Sequence, residues 1–170
     1  MNRVDFHTLF GYSDACWRLM GETLAAAPEA WDAPFETTSR WNSVRMLLAH
    51  TIAAEERIIT LRLKKEAIAV AYEDRAAPDW PTLYADHQQV RATTYAYLAA
   101  LSDEEISGDE TAVPSIDNRP ALTRADALFH IINHETYHRG EVIMTLQRLG
   151  NDPPNFDYAL LKKGSAAVNE

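Results

Sequence analysis

The sequence predicts an all-α chain, a four-helix bundle with a long connection before the last helix. Three observations predict it: four long segments space their apolar residues with helical period, none alternates strictly as a half-buried strand does, and residues that start or stop helices punctuate the segments. The first segment runs from about Asp5 to Ala27, with Phe6, Leu9, Phe10, Trp17 and Leu24 in one stripe, and stops before Pro28. The second starts at Asn42 or Ser43, either a suitable cap, and continues through VRMLLAHTIAAEERIITLRLKKEA. The third follows PDWP, where Pro81 suits a first helical turn, and reaches about Leu101. The fourth opens at Thr123 as a cap, carries Asp126 in its first turn, and ends at Gly150, placed as a left-handed C-terminal residue. Helices of about twenty residues are roughly 30 Å long, the scale of a bundle.

Between the third and fourth segments lies SDEEISGDETAVPSIDNRPAL. A connection this long is functional or carries small elements of its own, such as a hairpin within Thr111–Ile116.

At 170 residues the chain suits one domain, residues 1–170, with one core. A net charge of -9 argues against nucleic acid or an anionic membrane as partner, because both require a basic footprint. Cys16 is the only cysteine, which excludes an intrachain disulfide and suits a reducing compartment. No apolar run is long enough to span a membrane, and the first residues lack a signal peptide's apolar stretch, so a cytoplasmic location is expected.

The chemistry concentrates in the fourth segment. His130, His134 and His138 are four residues apart and so lie on one helical stripe, each advanced by about 40°. Adjacent members can direct two imidazoles at one ion, but all three span about 12 Å of axis, so at most two bind together. His50, flanked on its own face by Leu47, Ala54 and Leu61, is the expected third ligand. Three neutral imidazoles suit zinc, nickel or another imidazole-tolerant ion and leave positions open for water or substrate. His7 and His87 lack comparable neighbours and are expected to be hydrogen-bonded core or surface residues.

The same stretch, His134-Glu135-Thr136-Tyr137-His138, spells the H-E-x-x-H of zinc peptidases. Helical projection instead sends Glu135 about 100° away from His134, into the apolar arc of Leu128, Ile131, Val142, Leu146 and Leu149. Arg139 follows at nearly the same azimuth, so an i,i+4 Glu135–Arg139 pair is expected. Gly140 falls on another face, where a missing side chain permits close helix contact. A peptidase also needs a further ligand downstream, where only Glu141, Asp152, Asp157 and Glu170 are candidates, and an edge strand to hold its substrate.

LFHIINHETYHRGEVIMTLQRLG and WNSVRMLLAHTIAAEERII together resemble the DinB-like (DinB/YfiT) family of metal-binding four-helix proteins, with looser similarity in LFGYSDACW and PPNFDY. The resemblance covers nearly the whole chain. It implies a metal triad at His50, His134 and His138, the residues that spacing selects, and a homodimer. Glu141 stands where the family often has Gln. Characterised members include S-transferases and isomerases that use low-molecular-weight thiols, and others are described only as hydrolases. The resemblance therefore implies a metal-dependent S-transferase or hydrolase acting on a small molecule. Glu55, Arg57 and Tyr137 are candidate orienting groups and His130 a candidate for the outer shell. The alternatives are a non-catalytic metal-binding or stress-related helical protein and, less favoured, a minimal peptidase.

Overall fold

The computed structural model describes residues 1–35, 40–75, 79–115 and 120–161. The chain is mostly helical, with α1 over Arg3–Ala26, α2 over Val44–Glu56, α3 over Trp80–Ala99, a short α4 over Asp103–Ser107 and α5 over Arg124–Arg148. Side-chain caps set where the long helices begin. Asn2 and Asp5 form a capping box on α1, Ser43 accepts from the Met46 amide, Asp79 accepts from Thr82, and Thr123 with Asp126 boxes α5. At the far end of α5, Gly150 takes φ +83°, the left-handed residue expected there.

α2 departs from expectation. It does not continue as an α-helix through Ala67 but passes into a π-helical segment, Arg57–Leu63, closed by the Lys64 amide on the Ile59 carbonyl at 2.9 Å and by Lys65 at φ 59°. The wider turn changes the phase of everything after Arg57. Leu61, expected on the His50 face, is consequently exposed.

The long connection holds α4, whose Ile106 is buried, and a two-stranded antiparallel ribbon of β1 (Thr111–Val113) and β2 (Leu122–Thr123). The expected hairpin within Thr111–Ile116 is therefore corrected: Thr111 pairs with Thr123 and Val113 with Leu122, while Ile116 lies outside the described residues. Pro114 has no amide to give a ladder, and pairing with β2 lets Val113 bury against the helices.

α1 packs on α3 and α5, and α2 packs on α3 and α5, so the four long helices close a ring. Two apolar clusters fill it. One gathers Trp17, Met20, Leu47, Ile52, Leu83 and Leu146; the other gathers Phe6, Phe10, Ile59, Leu98, Leu128 and Ile131. Counting along each helix, a polar layer of Ser13, Glu55, Arg91, Thr94 and Glu135, all buried, lies between them, with His87 one turn before Arg91. Leu128, Ile131, Val142 and Leu146 are buried as projected, but Leu149, in the frayed last turn, is exposed. Among the described residues Gly140 makes no close helix contact, since a Cβ there would meet nothing within 4 Å. The tight approach is at Gly21, where a Cβ would lie 2.3 Å from the Trp80 ring.

Candidate metal centre

α2 and α5 pack against each other, and that contact brings His50 to the α5 histidine stripe. Ring centroids lie 4.9 Å apart for His50 and His134, 5.0 Å for His50 and His138, and 4.5 Å for His134 and His138. One nitrogen from each ring lies within 4.8 Å of the others, so the three form a group that could hold a metal ion. His130 stays outside it, with its ring 5.6 Å from that of His134, as the axial rise of the stripe requires.

Ring orientation is set by carboxylates. His50 Nδ1 is 2.5 Å from Glu73, and His138 Nδ1 is 2.6 Å from Glu141. A carboxylate on Nδ1 keeps the proton there and leaves the Nε2 lone pair free, the arrangement that orients metal-binding imidazoles. His138 Nε2 and His134 Nε2 face each other at 3.2 Å, while His134 Nδ1 is buried without a hydrogen-bond partner among the described residues. Converging lone pairs of this kind fit a divalent cation, which would take up all three at once. Burial, then the neighbouring His138 and His50, pushes the His134 pKa down to about 3, and burial lowers that of His50 against the pull of Glu73. Both rings are therefore neutral near pH 7, as ligands must be.

Glu73 is the residue that periodicity does not reveal. It sits in a single 3₁₀ turn, Tyr72–Asp74, outside every long helix. Its carboxylate accepts from Arg57 at 2.5 and 3.1 Å as well as facing His50. Burial opposes its charge, but the Arg57 and His50 bonds outweigh burial and hold its pKa below the ordinary value. Trp41 stacks on the His50 ring at 4.5 Å and Arg40 covers Trp41, fixing the imidazole from its other side. Arg57 thus acts on Glu73, and through it on His50. Tyr137 is exposed, with its ring 5.0 Å from that of His138.

Glu135 faces away from the triad. Its carboxylate accepts from the Ser13 hydroxyl, from Trp17 Nε1 at 3.3 Å and from Arg91 at 2.6 Å. The expected Glu135–Arg139 pair is corrected: Arg139 donates instead to the Tyr12 hydroxyl and to Thr136 Oγ1, each at 3.1 Å. The i,i+4 spacing is met, but the carboxylate takes the guanidinium of Arg91 on α3, while Arg139 is engaged by Tyr12 and Thr136. Bound in this way, Glu135 is not beside the histidine pair as a peptidase base would be.

Glu55, His87 and Glu135 form a second group with metal-ligand donors. Here Arg91 fills the cationic role, with Nη2 at 2.6 Å from Glu135, 3.1 Å from Glu55 and 3.3 Å from His87. Glu55 also accepts from Thr94 at 2.5 Å, so it braces the helices rather than the triad. His87 stacks on Trp17 at 4.0 Å and is the core histidine expected, with burial pushing its pKa down to about 3. His7, also expected to be unremarkable, is exposed against Tyr95.

A cavity of about 420 Å³ opens beside the triad, with His50, His134 and His130 on one side. No curated protein matches the chain. The sequence model of the DinB family matches residues 14–168, which include all three histidines and both carboxylates that orient them, and the chain belongs to that family.

Proposed function

We propose that this protein binds a divalent metal ion, zinc or nickel, through His50, His134 and His138 and uses it to transform a small molecule, as an S-transferase with a low-molecular-weight thiol or as a hydrolase. The observation that carries this reading is the convergence of three imidazoles whose outer nitrogens, in two of three cases, are already occupied by carboxylates. A structural site closes its coordination with protein ligands, whereas three neutral histidines leave room for a reactant. Bound there, a divalent ion stabilises the anion of a thiol or water and so lowers its pKa. The chain's own part is to orient the imidazoles, through Glu73, Arg57 and Glu141, and to offer a shaped cavity next to them. His130, on the cavity wall, is placed to exchange a proton with a bound reactant.

The cyclic packing of the long helices supports treating the frame as a single four-helix-bundle domain, with the metal ligands on two facing helices. The homodimer that the family resemblance implies belongs to the same proposal. The test is to incubate zinc- and nickel-loaded protein with a panel of thiols and electrophiles, and with esters and amides. Metal-dependent turnover that disappears on chelation supports the reading; metal binding without turnover across the panel favours the non-catalytic alternative.

A further inference from the structure

The cavity beside the triad carries information about charge as well as size. At about 420 Å³ it has the volume of a small-molecule site. Ala54, Ile58, Val113 and Leu122 give it an apolar wall, and Arg57 and Arg62 give it cations. Among the described residues no carboxylate lines it. Arg57 is committed to Glu73 by two hydrogen bonds, so that pair is close to neutral. Arg62 has no ion pair or hydrogen bond among the described residues and is only half-buried. A chain of net charge -9 thus turns a guanidinium with no described counter-ion toward a cavity that adjoins its histidine triad.

The backbone supplies a second, independent observation. Continued α-helical phase would keep Leu61 on the His50 face. The π-helical segment Arg57–Leu63 changes that phase, exposes Leu61 and delivers Arg62 to the cavity. Such segments are rare and cluster at functional sites. Arg62 is twelve residues beyond His50 in sequence, and both line the same cavity.

We infer that the site takes a small amphipathic carboxylate, its head group on Arg62 and its apolar body along Ile58, Val113 and Leu122, with its far end presented to the triad. Guanidinium is suited to this task because its planar donors match a carboxylate two at a time. The inference deepens the proposed function and rests on it for the identity of the reacting end, but the anchoring step requires no metal.

Two probes of nearly equal shape test it: 4-phenylbutanoate and the neutral 4-phenylbutanamide. Their dissociation constants are measured by calorimetry on metal-free protein, on zinc-loaded protein and on Arg62→Gln and Arg62→Lys. Metal-free protein is expected to prefer the carboxylate about tenfold, the worth of one charge-assisted hydrogen-bonded contact at a half-exposed site. Zinc loading is expected to keep the preference, Arg62→Gln to abolish it and Arg62→Lys to keep part of it, with melting temperatures unchanged. Equal binding of the two probes to metal-free protein overturns the inference. So does a preference that appears only with zinc and survives Arg62→Gln, because the carboxylate then sits on the metal. Should the protein bind no zinc yet keep an Arg62-dependent preference, the metal reading fails and the anion site stands.

Discussion

Replacing Arg91 with Met is expected to destabilise the fold strongly, and by an amount that depends on pH. The guanidinium is buried and serves Glu135 at 2.6 Å, Glu55 at 3.1 Å and Asp14 at 3.5 Å. Burial already raises the Glu55 pKa to about 7, whereas Arg91, His87 and Ser13 overcome burial and hold Glu135 below the ordinary 4.5. Without Arg91, the least costly escape for Glu135 is to take up a proton. That costs about 1.4 kcal/mol for each pH unit above 4.5, hence about 5 kcal/mol at pH 8 and about 2 kcal/mol at pH 6. The upper figure agrees with the roughly 3–5 kcal/mol lost when a buried pair is broken by removing one partner. In the variant the folded-state pKa of Glu135 lies above its unfolded value, so the group's stability is present below the unfolded pKa and is lost as pH rises. Urea unfolding followed by circular dichroism at pH 6 and pH 8 measures both numbers. Glu55→Gln and Glu135→Gln added to Arg91→Met are expected to recover most of the loss, since an apolar or neutral replacement of the whole group removes the unpaired charge. A penalty under about 1 kcal/mol, or one equal at the two pH values, would mean that Arg91 is not what keeps Glu135 ionised in the core.

Glu73→Gln is expected to weaken metal affinity by about 10–100-fold while leaving the stoichiometry unchanged, because it loosens the His50 ring without removing a ligand; a competitive chelator titration measures it. The two helical glycines are expected to respond oppositely to alanine. Gly21→Ala drives a Cβ into the Trp80 ring and is expected to cost about 1–3 kcal/mol, whereas Gly140→Ala, in open space on α5, is expected to stabilise by about 0.5–1 kcal/mol, both read from urea midpoints.

The long helices were legible because they carry local signals. Ser43, Asp79 and Thr123 are side-chain caps whose effect extends three residues, and the apolar stripes repeat within a turn or two. The pairing of His134 with His138 is local for the same reason, and His50 was visible because it sits on an apolar helix face. Glu73 was not, since a single 3₁₀ turn leaves no periodicity and its role depends on a fold-back toward α2. Arg62 was hidden by the π-helical segment, which breaks the phase that any projection assumes. Glu135 shows the limit of local pairing. Spacing pointed to Arg139, but the competing cation, Arg91, is 44 residues away in sequence and fully within the polar layer. The ribbon followed the same pattern, because the partner of Val113 was chosen by what it buries rather than by proximity in sequence.

The proposed metal site requires His50, on one helix, and His134 with His138, on another, to act as one ligand set. Zinc titration of metal-free protein, with bound metal quantified by elemental analysis, measures whether they do. One ion per chain is expected in the unaltered protein, with a loss of at least about a hundredfold in affinity for each of His50→Ala, His134→Ala and His138→Ala, while His87→Ala keeps the ion. Undiminished affinity in His50→Ala, or an ion retained when all three are replaced, would contradict it.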